Sequence, residues 1–344
     1  MRSEIRQAVR NRFAGPLGRK RVYSVYTWSR EMPRSKRLII WAAMLLQISA
    51  IVFLCMRSLR WPMSPEEAIF LCPCLMVVYF LGLALMNRVL TAEFIRKTEL
   101  EADQIAARQI QQTLIPQKLP ESPGYVVETF YKPLREVGGD YFDVIDLPGN
   151  RTLFAVADVS GKGMPAALLA ANIQALVRSI ASVEANPLTL ARQINRHLSQ
   201  YTPSERFATG VFILLNRDSG ELTYVNAGHN SPLVFGRDSA TALEATGVPL
   251  GLFPDAEYEA LTTVLCPGGA LLLFTDGLTD SIPGENAENR LRDALGGGSE
   301  RTMSSLKSLV DAKFNDDDIT ILLVNRGVDT PALSIASAMT CRIA

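Results

Sequence analysis

Residues Val137–Met164 read VGGDYFDVIDLPGNRTLFAVADVSGKGM, and their two glycine-flanked aspartates decide how the chain is built. Asp140 follows Gly138-Gly139. Asp158 ends the apolar run Leu153-Phe154-Ala155-Val156-Ala157 and precedes Val159-Ser160-Gly161-Lys162-Gly163. An apolar, β-prone run that ends in Asp and turns through glycine is how a buried strand presents a carboxylate at its exit. Two such Asp on neighbouring strands would form an all-oxygen pocket suited to Mg²⁺ or Mn²⁺. Asp beside Gly is also plain turn chemistry, so the rest of the chain must decide between these readings.

Two further positions match the pair. The run Ala270-Leu271-Leu272-Leu273-Phe274-Thr275 ends in Asp276-Gly277, then Leu278-Thr279-Asp280. Asn315-Asp316-Asp317-Asp318 immediately precedes a last apolar run, Ile319–Asn325. Four separated carboxylates at strand ends of one domain are hard to attribute to turns. If they converge, unit charges about 4 Å apart repel by roughly 4 kcal/mol even at an effective dielectric of 20. Bound divalent metal turns that repulsion into affinity. Two cations about 3.5–4 Å apart acidify a bridging water and clamp a phosphoryl oxygen for in-line attack. No Cys or Ser nucleophile has a neighbouring His, so direct attack by the activated water is the economical chemistry. A P-loop and a Rossmann fingerprint are absent. Gly138-Gly139-Asp140 also opens a diguanylate cyclase motif, but the continuation Tyr141-Phe142-Asp143 is not Glu-Phe, which excludes that reading.

Around these carboxylates the pattern is mixed. Strands are expected at Tyr125–Tyr131, Leu153–Ala157, Phe207–Asn216, Glu221–Asn226, Tyr258–Cys266, Ala270–Phe274 and Ile319–Asn325. Helices are expected at Pro165–Val183, Pro187–Gln200 and Leu306–Phe314, the first two opened by Pro. Strand pairs with two central helices make an α+β domain, most simply antiparallel sheets packed together with helices outside.

The N-terminal part differs. With 344 residues and a formal net charge of +0, the chain has room for about two domains and no bulk attraction to polyanions, so no nucleic-acid partner is expected. Mean hydropathy of +0.12 is high, and the excess is localised. Residues 1–37 are basic; Leu38–Met56 and Ala68–Asn87 are uncharged, each about long enough to cross a hydrocarbon core of roughly 30 Å as a helix. The short connection RSLRWPMSPEE between them suits an interfacial turn, so the two runs read as a transmembrane hairpin. A cleavable signal peptide does not fit the long basic leader. The basic bias places the N-terminus and everything after Arg88 in the cytoplasm, a multi-pass protein of the cell membrane. Five scattered Cys and two His offer no zinc spacing; the cysteines read as packing thiols of a reduced compartment.

Val89–Ile115 holds no Gly or Pro and carries one apolar stripe through Phe94, Ile95, Ala102, Ile105, Ala106, Ile110 and Leu114. It is a helix leaving the membrane for the next domain, either a solvated linker or a coil that pairs two copies; both remain open. The expected organisation is a basic segment 1–37, a hairpin 38–87 (38–56 and 68–87), a linker helix 88–115, a catalytic domain 116–328 and a loose tail 329–344.

Seven motifs occur in order: GGDYFD at 138–143, ADVSGKGMPAALL at 157–169, ATG at 208–210, NAGHN at 226–230, GVPLG at 247–251, TDGLTD at 275–280 and DDIT at 317–320. The set closely resembles the sporulation-E-like branch of metal-dependent (PPM-type) serine/threonine protein phosphatases. ARQIQQTLIPQKLP at 107–120 is similar to the stretch preceding that domain, so the resemblance spans roughly 105–327. It implies an αββα sandwich with two divalent cations, Mn²⁺ or Mg²⁺, between the sheets. By motif, the ligands implied are Asp140, Asp158 as bridge, Asp276, Asp317 and the main-chain carbonyl of Val159, with Asp316 or Asp318 as alternatives to Asp317 if the triple Asp slips by one. Asp143, Asp280 and His229 are expected to shape loops, with His229 the alternative proton donor. The resemblance further implies a phosphoserine or phosphothreonine substrate on a small anti-anti-sigma (STAS-type) partner. Two departures concern the rim: SIPGENAENRLRDALGGGSE lacks the usual Gly-Glu-x-Phe-Gly element, and Gly269 stands where an acidic residue often follows Pro-Gly. Rival functions are a weakly active domain that sequesters its partner, and a phosphohydrolase of small molecules.

Overall fold

The computed structural model describes residues 34–60, 64–116, 118–203, 205–236, 239–284, 286–296, 301–311 and 316–328. Most of the basic segment and the expected tail lie outside the described residues. The chain divides into two compact units, Met1–Glu101 and Ala102–Ala344.

In the first unit, α1 (Arg34–Arg60) is joined to the start of α2 (Pro65–Leu114). The second apolar run and the expected linker are one continuous helix of 50 residues, so no break falls at residue 88. Nothing between Met86 and Leu114 interrupts it, because that stretch lacks Gly and Pro. Arg34–Arg57 and Ile69–Leu114 are long and apolar enough to cross a membrane. Large side chains such as Leu38, Leu45, Phe70 and Val77 point outward. The two helices touch through a polar notch. The Gln47 amide donates to the Tyr79 carbonyl at 3.4 Å, and Gly82 leaves it room, since a Cβ there would stand 3.1 Å from Gln47 Nε2. About three turns further along, Lys36 of α1 pairs with Glu93 of α2.

Among the described residues, the second unit contains ten strands in two five-stranded antiparallel sheets, ordered β1-β10-β9-β6-β7 and β2-β3-β4-β5-β8. The strands are β1 (Tyr125–Lys132), β2 (Asp140–Leu147), β3 (Arg151–Val159), β4 (Ala208–Asn216) and β5 (Glu221–Ala227), then β6 (Leu233–Phe235), β7 (Ala240–Ala242), β8 (Leu261–Val264), β9 (Ala270–Phe274) and β10 (Ile319–Arg326). Helices α3 (Met164–Ala181) and α4 (Pro187–Tyr201) follow β3; α5 (Asp276–Asp280), α6 (Ala287–Gly296) and α7 (Met303–Leu309) follow β9. The expected α+β class, two sheets flanked by helices, is what forms. Beyond expectation are β2, β6, β7, α5 and α6. The run Tyr258–Cys266 keeps only four strand residues, and the last helix spans Met303–Leu309, beginning before the expected 306; the expected end at 312–314 lies outside the described residues.

Period-2 alternation sorts each strand between layers. In β3, Leu153, Ala155, Ala157 and Val159 face α3 and α4, meeting Ile173, Val177, Leu190 and Ile194. Phe154 and Val156 face the other sheet, meeting Leu271, Leu273, Leu322 and Val324. A third apolar layer joins Leu272, Phe274, Ile321 and Leu323 to Leu291, Leu295 and Leu306 of α6 and α7. The order is helix, sheet, sheet, helix. Helix α3 is itself apolar enough to meet the length and hydropathy of a membrane span, but its apolar face is spent on this sheet. Asn186 caps α4 by accepting from Leu188 N at 2.9 Å, and Pro187 opens it. Cys55 and Cys74 are free thiols, but Cys266 is disulfide-bonded, which corrects the reading of every cysteine as a packing thiol.

Candidate metal centre

The same alternation places the carboxylates. Asp140 shares the parity of Phe142 and Val144, and Asp158 that of Phe154 and Val156, so both point into the gap between the sheets. Register sets Asp140 directly opposite Asp158 at one end of the β2–β3 ladder. Asp140 therefore opens its strand, where the sequence suggested a strand exit.

The opposite sheet completes the surroundings of Asp140. Its Oδ2 accepts from Thr275 Oγ1 at 2.8 Å and from Thr320 Oγ1 at 2.6 Å. The Thr320 amide donates to Thr275 Oγ1 at 3.0 Å, locking the two hydroxyls. Sequence reasoning missed both threonines. Their signal was parity: Thr275 continues Leu271 and Leu273, and Thr320 precedes Leu322 and Val324, all facing the gap.

Burial, then the charge of Asp158, pushes the Asp140 carboxyl well up. Burial raises Asp158 to about 7, followed by the charges of Asp276 and Asp317, while a hydrogen bond with Asp140 opposes the rise. Asp276 is raised by burial and then by Asp317 and Asp280. Carboxyls that resist ionising first because they are buried and then because of one another form a donor set that a hard divalent cation would neutralise. Among the described residues no three His, Cys, Asp or Glu side chains are gathered tightly enough to hold an ion as they stand. The residues thus fit such an ion in chemistry, in an open arrangement.

The triple Asp divides its work. Asp318 accepts from Leu134 N at 2.7 Å through Oδ1 and from Gly139 N at 2.6 Å through Oδ2, so both its oxygens pin backbone. Asp317 Oδ2 stays at the surface of the site, 2.7 Å from Lys162 Nζ. The Val159 carbonyl faces the same loop: a Cβ on Gly139 would lie 3.2 Å from it. Gly138 is required because a Cβ there would collide with Tyr131 Oη and stand 2.7 Å from Asp318 Oδ2; one on Gly277 would collide with the Asp318 carbonyl.

Two expected loop-shapers keep away from the gap. Asp143 has the opposite parity and takes a bidentate pair from Arg178 of α3, at 2.7 and 3.0 Å. His229 sits in the NAGHN turn, where Asn226 Oδ1 accepts from its amide at 2.8 Å and its Nδ1 pairs with Thr209 Oγ1 at 2.8 Å. Burial lowers its pKa to about 4, against a smaller opposing pull from the Phe274 carbonyl, so the ring is held neutral at pH 7, with a single N–H and no imidazolium charge. Asp280 ends α5 and acts on Asp276 through charge.

The end of α2 reaches this centre. Gln111 Nε2 donates to the Gly138 carbonyl at 2.7 Å, and Gly138 N donates to Gln111 Oε1 at 3.1 Å. Arg108 pairs with Glu136 at 2.8 Å, and Gln174 of α3 donates to the Leu114 carbonyl.

Residues 148–327 match the family described as Stage II sporulation protein E (SpoIIE). The chain belongs to the SpoIIE family. The matched residues begin after Asp140, so its part in the site rests on geometry. The chain is 29% identical to the phosphoserine phosphatase RsbU of Bacillus subtilis (strain 168) over 184 residues, 53% of this chain and 55% of that protein. The structure of the RsbU and RsbW domains of Rv1364c from Mycobacterium tuberculosis superposes with a TM-score of 0.55 at 30% identity, covering 62% of this chain and 63% of that one. The SiaA-PP2C domain of Pseudomonas aeruginosa, at 21% identity and TM-score 0.57, covers 67% of this chain and 98% of that one and shares the fold. The chain thus spans just over half the length of its RsbU relative.

The raised carboxyls set a pH dependence. Between the ordinary Asp pKa near 4 and about 7, folded Asp158 holds a proton that the unfolded chain has lost. The native state then binds more protons, so stability falls as pH rises through that window. His229, lowered to about 4, pulls the opposite way between 4 and 6.5. Metal-free Asp158→Asn should therefore gain melting temperature relative to the parent as pH goes from 5 to 8. A difference that stays constant with pH, measured by differential scanning fluorimetry, would refute the shared proton.

Proposed function

We propose that this SpoIIE-family chain is a membrane-anchored, metal-dependent phosphatase that removes phosphate from phosphoserine or phosphothreonine of a regulatory partner protein. The observation that carries the reading is the meeting of Asp140 and Asp158 across the β2–β3 register, with Asp276 and Asp317 acting on Asp158 by charge. Asp140, Asp158, Asp276, Asp317 and the Val159 carbonyl would hold two divalent cations, Mn²⁺ or Mg²⁺, with Asp158 shared. When bound, such cations supply electrophilic polarisation of a phosphoryl oxygen and a nucleophilic water at neutral pH.

The chain's own residues prepare that chemistry. Thr275 and Thr320 fix the Asp140 carboxylate, and Asp318 holds the Gly139 amide, so the ligand loop enters the gap in one conformation. His229 is neutral and supports the fold. A STAS-type anti-anti-sigma protein is the partner class proposed, on the motif resemblance of the sequence alone. The apolar helices α1 and α2 support the membrane anchor, with the catalytic domain in the cytoplasm. The exposed Phe94, Ile95 and Ile110 of α2 support pairing of two copies. The test is Mn²⁺-dependent release of phosphate by the full chain from a phosphoserine protein, compared with nucleotides and para-nitrophenyl phosphate. Turnover of nucleotides over phosphoprotein would favour a small-molecule hydrolase; tight partner binding with no turnover under any divalent ion would favour a sequestering module.

The Gln111 clamp offers a route from helix to site. Gln111→Ala frees Gly138, two residues before Asp140, and outer-shell partners of ligands are worth about 10–100-fold in metal affinity or activity. We expect the Mn²⁺ concentration needed for half-activity to rise by a factor within that range. An unchanged Mn²⁺ dependence would show the clamp to be ornamental.

A further inference from the structure

We propose that Lys162 is a tethered cation that holds Asp317 while no divalent ion is bound and releases it when one arrives. This rests on the metal-centre reading above and adds a competitor to it. Lys162 lies in the turn between β3 and α3, in Val159-Ser160-Gly161-Lys162-Gly163. Its Nζ stands 2.7 Å from Asp317 Oδ2 and donates to the Asp316 carbonyl. The pairing bridges residues 154 positions apart and joins the β3–α3 turn to the approach to β10. Glycines at positive φ flank it, Gly161 at 95° and Gly163 at 78°, so the backbone takes a path on both sides that is open to glycine at no steric cost.

The neighbouring cation is otherwise engaged: Arg206 Nη1 donates to the Ser160 carbonyl at 3.2 Å. Lys162 meets the carboxylate Asp317 directly. An ammonium in that position relieves the repulsion that an open set of carboxylates suffers. The grip is loose by construction, because side chains 41% and 34% exposed make a solvated pair. Solvated pairs of this kind favour the closed form by about fivefold at most. A divalent cation with several carboxylates around it would outcompete such a contact without difficulty. A single charge therefore steadies the empty centre and leaves it loadable.

The test uses the full chain in detergent micelles with Mn²⁺ alone and no substrate. Lys162→Met should bind Mn²⁺ about three- to fivefold more tightly, read from free Mn²⁺ by electron paramagnetic resonance. In the parent protein, reductive methylation of Lys162, followed by peptide mass spectrometry, should be faster with saturating Mn²⁺ than without. Unchanged or weaker Mn²⁺ affinity in Lys162→Met would overturn the proposal. So would tighter binding without any Mn²⁺ effect on Lys162 labelling, because that pattern is a long-range charge effect with no displaced contact. Failure of the parent chain to bind Mn²⁺ at all would overturn both this inference and the metal-centre reading beneath it, and is distinguishable because the affinity of the parent is measured first.

Discussion

Asp158→Ala and Asp276→Ala should each abolish the proposed Mn²⁺-dependent hydrolysis of a phosphoserine protein by the full chain. Asp158 is the largest case because it stands opposite Asp140 in register and feels Asp276 and Asp317 as well, so every proposed ligand is referred to it. Metal assistance is worth several kcal/mol of transition-state stabilisation, and at about 1.4 kcal/mol per factor of ten its loss is about 10³-fold or more. The folded state should survive. Removing one of several mutually repelling carboxyls relieves strain, so the variant melts at or above the parent in the absence of metal. That separation of activity from stability is what a purely structural aspartate would not produce. Activity within about tenfold of the parent for either variant would sink the two-metal reading.

Arg178→Ala has the second large effect, and on stability. The Asp143 side chain is wholly buried and meets Arg178 through both oxygens, with the Tyr141 hydroxyl at 3.3 Å and the Val144 amide at 3.0 Å as its other donors. Arg178 itself stays half in water, so its own desolvation is modest while that of Asp143 is complete. Deleting the arginine leaves a buried, under-compensated carboxylate, which costs about 3 kcal/mol at the low end for a broken buried pair. In a domain of this size that lowers Tm by roughly 6–12 °C. Replacing both partners, Asp143→Leu with Arg178→Met, should recover much of the loss, since an apolar pair can stand in for a buried ion pair. A fall of less than about 2 °C in the single variant would mean that water or Tyr141 already satisfies Asp143. The consequence reaches the site: α3 begins at Met164, just past the Asp158 turn, and Arg178 is its anchor to β2.

Strands β3, β9 and β10 and helices α3 and α4 were legible because each is a long apolar run between Gly, Pro or Asp punctuation. Elements β6 and β7, with three residues each, are too short to show a period, as is the five-residue α5. The run DYFDVIDL of β2 was read as a motif and not as a strand, because it is buried on both faces and its charged residues mask the alternation. Helix α2 hid its continuity for the opposite reason: membrane-like and charged stretches differ in composition, though nothing in the backbone separates them.

What the amino-acid order determined by itself was the cast: four carboxylate positions at strand ends, two apolar helices before them, and the motifs of the SpoIIE family. Such features are local, written in runs, spacings and residue types. The tertiary structure alone decided the partners. Thr275 and Thr320 meet Asp140 from 135 and 180 residues away, Asp318 serves backbone amides while Asp317 faces Lys162, and Gln111 clasps Gly138. Alternation along a strand tells which side chains share a face. Which face meets which depends on register between strands distant in sequence, and that is set only when the two sheets close on their common core.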